Sequence, residues 1–224
     1  MMKNLLLMDL DNTLLDFDRS EKEALTKTLK HYGIEANDEL LSQYSSINQK
    51  YWNLLEKKEV LREDIVYLRF EEFFKTCLNK NIDGHEVNEI YHNLLKELGY
   101  PLPEAEEFLK KAKKLGYKIL IISNGSKGIN PNRIEKSGIK DYFDEVYISE
   151  EMGYDKPDVR FFGQLLKKYP NKDEMVIIGD SLTSDIQSGI NLGIPTIWFN
   201  RTNKVSTKPD YEIKSLNEIF DILN

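Results

Sequence analysis

The sequence predicts an α/β protein: a Rossmann-like, doubly wound parallel sheet with a block of α-helices inserted after the first strand. Three observations predict it. Short apolar runs of strand length recur at residues 4–8, 117–122, 145–148, 175–178 and 195–199. Helical patterns separate the later runs, as βαβ units require. Between the first run and the second, residues 20–100 show helix after helix and no convincing strand.

Taken in order, Asn4-Leu5-Leu6-Leu7-Met8 is apolar almost throughout, which reads as a strand buried on both faces of a parallel sheet. Four helical faces follow. Ala24, Leu25, Thr28, Leu29 and Tyr32 share the first, and Ile47, Tyr51, Leu54 and Leu55 the second. Ile65, Leu68, Phe73 and Cys77 suggest a third, and Val87, Ile90, Tyr91, Leu94 and Leu95 a fourth. Pro101-Leu102-Pro103 closes the block, because proline disfavours helix in the residue before it. The expected organisation is a core of residues 1–18 and 101–224 with a helical cap of residues 19–100. Beyond the cap, helices are expected at 104–115, 133–137, 159–169 and 184–192. Gly116, Gly138 and Gly193 follow three of them, where a glycine ends a helix.

Composition narrows the function. The 224 residues fit one large domain or a core with an insert, and 40% hydrophobic content is ordinary for a globular chain. A net charge of −7 argues against a nucleic-acid polymer or a membrane surface as partner, since both need a basic face. A small anionic ligand is compatible only if positive charge is concentrated locally. Cys77 is the single cysteine, so no intrachain disulfide forms and a reducing compartment is expected. No segment reaches membrane-span length, and the N-terminal apolar stretch is too short for a signal peptide. A cytoplasmic protein is the expectation. His31, His85 and His92 have no partners at ligand spacing and are assigned no chemistry.

In open α/β sheets, ligands bind at the carboxyl ends of the strands. The first run ends in Asp9-Leu10-Asp11-Asn12-Thr13-Leu14. Alternation along a strand sends Asp9 and Asp11 to the same side. At about 4 Å and an effective dielectric near 20 they repel by roughly 4 kcal/mol, which a bound divalent cation offsets. The run at 117–122 ends in Ser123-Asn124-Gly125, and beyond 145–148 comes Asp155-Lys156-Pro157-Asp158. The run at 175–178 leads into Gly179, Asp180 and, five residues later, Asp185. Each piece alone has a plain explanation as a turn, a solvated lysine or a helix cap. Together, at four successive strand ends, three acids, a lysine and a hydroxyl make the kit of a metal-assisted phosphoryl-transfer site.

These four segments resemble, in order, the four motifs of the haloacid dehalogenase superfamily, and the resemblance spans essentially the whole chain. A narrower likeness lies in the flanking residues. Asp16-Phe17-Asp18, Ile47-Asn48 with Trp52, Arg69-Phe70, and residues 148–154 and 179–186 are similar to the bacterial pyrimidine 5′-nucleotidases of that superfamily. Those enzymes hydrolyse pyrimidine and noncanonical nucleoside monophosphates. Asn130 departs from the pattern, standing where a glutamine belongs.

The resemblance implies Asp9 as the nucleophile that forms an aspartyl-phosphate, and Asp11 as general acid and then general base. It implies Mg²⁺, with Mn²⁺ as the alternative, held by Asp9, the Asp11 backbone carbonyl and Asp180, while Asp185 orients a metal-bound water. Ser123, Asn124 and Lys156 are the implied phosphate contacts. Phe17, Asn48, Trp52 and Arg69 are the cap candidates for touching a small phosphorylated metabolite, a nucleoside monophosphate above all, in a monomer or homodimer. Rival readings remain. A 2-haloacid dehalogenase needs neither Asp11 nor Asp180. A sugar-phosphate phosphatase or mutase keeps all four motifs. A signalling receiver domain is much shorter and lacks the insert, and a non-catalytic module that binds a phospho-ligand would keep the fold without turnover.

Overall fold

The computed structural model describes residues 4–223, so the outermost ends of the expected core, 1–3 and 224, lie outside it. The chain divides into two compact units, one of Met1–Phe17 with Gly99–Asn224 and the other of Asp18–Leu98. No helix among the described residues is long and apolar enough to cross a membrane.

The first unit is built on six strands: β1 (Leu5–Met8), β2 (Lys118–Ser123), β3 (Glu145–Ile148), β4 (Met175–Gly179), β5 (Thr196–Phe199) and β6 (Tyr211–Ile213). All pair in parallel, in the order β3-β2-β1-β4-β5-β6. β1 is therefore central, with Met8 level with Ile121 of β2 and Ile178 of β4. Side-chain alternation splits the apolar runs between two cores. Leu6, Met8, Ile119, Ile121, Val176 and Ile178 pack on one face, and Leu5, Leu7, Leu120, Ile122, Met175 and Ile177 on the other. The chain progresses to one side from β1 through β2 and β3, and to the other through β4, so the β1 end is the topological switch point.

The second unit comprises α1 (Phe17–His31), whose first residue belongs to the first unit, with α2 (Asp38–Glu56), α3 (Arg62–Leu78) and α4 (Gly84–Leu95). Its buried apolar set includes Leu25, Leu29, Tyr44, Ile65, Phe70, Phe73, Val87 and Tyr91. Expected faces shift in two helices: α2 buries Tyr44, Asn48 and Leu55 whereas Ile47, Tyr51 and Leu54 are only half-buried, and α3 buries Arg69, Phe70 and Phe74 beside Ile65 and Phe73 whereas Leu68 and Cys77 are half-buried. A polar residue sits inside because its neighbours satisfy it, as described below.

The remaining helices surround the sheet: α5 (Ala105–Lys114), α6 (Asn130–Ser137), α7 (Ser149–Met152), α8 (Gly163–Lys168), α9 (Gln187–Leu192) and α10 (Ile219–Leu223). Two expected helices are composite. The stretch expected at 159–169 opens with a 3₁₀ turn over Val159–Phe162 before α8, and that at 184–192 opens with a wide π-type turn over Leu182–Ile186 before α9. The wide turn follows β4 after Asp180 and Ser181 and carries Asp185. Such turns concentrate at functional sites because they re-aim side chains that a regular helix would direct elsewhere.

Candidate active site

Three strand ends meet around the lysine at 156. Its side chain is fully buried and donates to three oxygens: Asp9 Oδ1 at 2.9 Å, Asp185 Oδ1 at 2.6 Å and the Ile122 carbonyl at 2.6 Å. An ammonium has three N–H donors, so all are used. The backbone of Lys156 is gripped in turn by the Asn124 side chain. Asn124 Oδ1 accepts from Lys156 N at 2.7 Å and Asn124 Nδ2 donates to Lys156 O at 2.9 Å. Asp9 follows β1, continuing its ladder through a hydrogen bond from its N–H to Ile178 O. Its second oxygen accepts from Thr13 Oγ1 at 3.2 Å. Asp185 is held from its other side by the Ser181 N–H at 3.1 Å.

Asp180 completes the acidic group. Trp198 of β5 fixes its backbone by donating from Nε1 to Asp180 O at 2.8 Å. Asp9, Asp180 and Asp185 each bring a carboxylate oxygen within 4.8 Å of the other two. Burial pushes the Asp9 carboxyl up to about 7, with Lys156 opposing and Asp185 and Asp11 adding repulsion. Burial, then Asp9 and Asp185, also push Asp180 well above the carboxylate range. Burial disfavours the Lys156 charge, but Asp185 and Asp9 outweigh it and hold the lysine above its ordinary value. Three carboxylates against one ammonium leave a formal −3 + 1 = −2 when all are ionised. An all-oxygen donor set of that charge fits a hard divalent cation.

Asp11, whose charge is felt by Asp9, is not one of the three clustered carboxylates. Its Oδ1 accepts from Arg133 Nη1 at 2.6 Å, and Arg133, in α6, is buried. Ser123, at the end of β2, is buried and accepts from Asn130 Nδ2 at 2.9 Å. That bond uses a lone pair of Ser123 Oγ and leaves its proton to be donated. Arg133, Asn130, Thr13 and Trp198 were not among the expected site residues. A signal for the α6 pair does exist: positions 130, 133, 134 and 137 form one helical face, and only Ile134 on it is apolar.

The cap candidates separate. Phe17 lies in the first unit, where the Arg133 guanidinium sits 5.3 Å from its ring centroid. Asn48 and Arg69 are buried within the second unit. Asn48 Nδ2 donates to Glu21 Oε1 at 2.6 Å, and Arg69 Nη1 donates to Asn48 Oδ1 at 2.8 Å. Trp52 is half-buried, with the Arg62 guanidinium 5.2 Å from its ring.

An acid group at the switch point of a doubly wound sheet, wired to one buried lysine, has the donor set that phosphoryl-transfer chemistry uses. A family model of haloacid dehalogenase-like hydrolases matches residues 3–193, and the chain belongs to that family. It is a phosphatase of the family. The chain is 36% identical to the pyrimidine 5′-nucleotidase PynA of Streptococcus pneumoniae, across 98% of this chain and 94% of the relative. It is 30% identical to the pyrimidine 5′-nucleotidase YjjG of Escherichia coli, across 96% and 95%. The crystal structure of the HAD-hydrolase YfnB from Bacillus subtilis, bound to magnesium, superposes with a TM-score of 0.93 at 30% identity, covering both chains completely.

Proposed function

We propose that this phosphatase is a Mg²⁺-dependent 5′-nucleotidase that converts pyrimidine or noncanonical nucleoside monophosphates to nucleoside and inorganic phosphate. The observation that supports the chemistry is the Asp9–Lys156–Asp185 ion-pair chain with Asp180 beside it. The nearly full-length similarity to two pyrimidine 5′-nucleotidases supports the substrate class.

In this reading Asp9 attacks phosphorus through a carboxylate oxygen. The new Asp9–phosphorus bond forms as the ester P–O bond breaks, and the electron pair leaves with the nucleoside oxygen, which takes a proton from Asp11. Asp11, now a carboxylate, then takes a proton from water while the water oxygen attacks the aspartyl-phosphate. That step frees inorganic phosphate and regenerates the Asp9 carboxylate. Lys156 offsets the charge of Asp9 so that a phosphate dianion can approach it, and Asp185 keeps Lys156 in place. Ser123 donates its proton to a phosphoryl oxygen, with Asn130 fixing the direction of its hydroxyl. Asp9 and Asp180 would hold the Mg²⁺ with the Asp11 backbone carbonyl. Asp185, whose two oxygens already accept from Lys156 and Ser181, would act on a bound water. The metal supplies charge neutralisation on the phosphoryl oxygens.

The test is phosphate release from a panel of nucleoside monophosphates and sugar phosphates, with and without Mg²⁺, for wild type and Asp9→Asn. Metal-dependent turnover of dUMP, dTMP or UMP that Asp9→Asn abolishes is the expected result. Turnover of sugar phosphates alone would overturn the substrate class, and turnover unaffected by Asp9→Asn would overturn the mechanism.

A further inference from the structure

Arg133 has no part in the four motifs, yet its side chain is the group that holds Asp11. It is almost completely buried, 1% exposed, while the Asp11 side chain is 28% exposed, so a buried cation anchors a partly exposed acid. The contact is a single 2.6 Å hydrogen bond from Nη1 to Asp11 Oδ1. The guanidinium also packs on the Phe17 ring. Its backbone is just as closely packed: a Cβ on Gly99 would come within 2.0 Å of Arg133 O, a distance no side chain tolerates. Phe17 and Gly99 are the residues of the α/β unit that flank the helical insertion on either side. Arg133 is thereby fixed by both chain crossings as well as by α6.

We infer that Arg133 is the positioning residue for Asp11: it pins Oδ1 and thereby makes Oδ2 the oxygen that exchanges the proton with the leaving group. The chemistry of arginine dictates the selection. A guanidinium only donates, and the carbonyl oxygen of a protonated carboxyl accepts better than its hydroxyl oxygen, so the oxygen bonded to Arg133 is the less favoured site for the proton. Asp11 is not one of the three clustered carboxylates, and the cation bonded to it is Arg133. Phe17, one of the expected substrate contacts, contributes here by stacking on that cation.

This inference rests on the phosphatase reading, with Asp11 as the acid. The experiment separates the two. Wild type, Arg133→Met and Arg133→Lys are compared in rapid-mixing kinetics on the best nucleoside monophosphate and on p-nitrophenyl phosphate. Loss of the nucleoside requires protonation of a strongly basic alkoxide, whereas p-nitrophenolate leaves unaided. Arg133→Met is expected to slow nucleoside release by about 100-fold while the initial p-nitrophenol burst stays within about threefold of wild type. Arg133→Lys keeps the charge with a shorter reach and is expected to recover part of the nucleoside rate. Should Arg133→Met not fold, Arg133→Lys decides alone, since its loss must be several-fold larger for the nucleotide than for the burst. Equal losses on the two substrates, or no loss on either, would overturn the positioning role and leave the phosphatase reading intact. A folded wild type inert toward both would overturn the phosphatase reading and this inference with it.

Discussion

Lys156 Nζ lies 2.6 Å from Asp185 Oδ1, closer than the 2.9 Å that separates it from Asp9 Oδ1. The acid that is further along the chain is the lysine's stronger partner, so Asp185 anchors Lys156 and Asp9 receives its charge. Removing one member of a buried ion pair strands the others, which costs about 3–5 kcal/mol. Lys156→Met is therefore expected to lower unfolding stability by that order and turnover by roughly 10²–10³-fold. Asp185→Asn preserves shape and weakens only the anchor, so its losses should be smaller in both quantities. Denaturant titration with steady-state kinetics on the same samples checks the ranking.

Asp9 gives stability a pH dependence of defined sign. Burial lifts its carboxyl from an ordinary 3.8 to about 7, so the folded protein binds this proton more tightly than the unfolded chain does. Its contribution is complete below the unfolded value and is lost as pH rises through the folded one. Asp9→Asn keeps the shape without titrating and should flatten the stability curve across that window, in buffers stripped of divalent cations. A cation competes with the proton for the same carboxylate. The rise in Tm on adding Mg²⁺ should therefore grow between about pH 5 and pH 8 in wild type and be much smaller in Asp9→Asn. Calorimetry at several pH values measures both effects, and parallel curves for the two proteins would remove Asp9 as the titrating group.

Asn130, at the position where the family resemblance implies a glutamine, is closely packed. Its side chain lies against Gly125 so tightly that a Cβ there would be 2.0 Å from Asn130 Nδ2. Asn130→Ala should leave Ser123 without its donor and weaken phosphate binding by about 1–2 kcal/mol, roughly 5- to 30-fold in KM. Gly125→Ala should mimic it by pushing the amide away. Inhibition by inorganic phosphate offers an independent reading, since it senses the anion without the leaving group.

What the sequence made legible follows from what the chemistry demands. Asp9, Lys156, Asp180 and Asp185 each have a plain explanation alone, but they recur in order beyond successive apolar strands, and the parallel sheet that unites them follows from the spacing of its runs. Asn130 drew notice only as a departure from the pattern and Arg133 none, because a polar residue in a short helix reads as solvated. Only the tertiary fold shows that this face of α6 turns inward onto Ser123 and Asp11. β6 escaped notice for a different reason: Tyr211-Glu212-Ile213 is an edge strand with one buried residue, too short to display a period. In α2, Asn48 broke the apolar stripe that the periodicity suggested, because Glu21 and Arg69 satisfy its amide inside the helical unit.

That last arrangement yields a prediction separating structure from substrate contact. Asn48 bridges an acid and a base, accepting from Arg69 and donating to Glu21, while Ser45 donates to the other Glu21 oxygen. Arg69 also donates from Nη2 to Asn88 Oδ1 at 3.1 Å, and its guanidinium lies over the rings of Phe70 and Tyr91. Burial pushes Glu21 upward, with Ser45, Asn48 and Arg69 opposing it, and burial together with Arg69 depresses His92 to about 3, so that imidazole is neutral beside the cation. Arg69 is thus committed to the interior of its own unit. Arg69→Met should lower stability by about 3–5 kcal/mol, because a buried acid loses its compensating charge. Asn48→Leu should cost less, since it removes the bridge but neither charge. A residue serving substrate alone would instead raise KM at unchanged stability. Denaturant midpoints beside KM for the two variants distinguish these roles: the network reading requires the midpoint to fall, and for Arg69→Met to fall further than for Asn48→Leu.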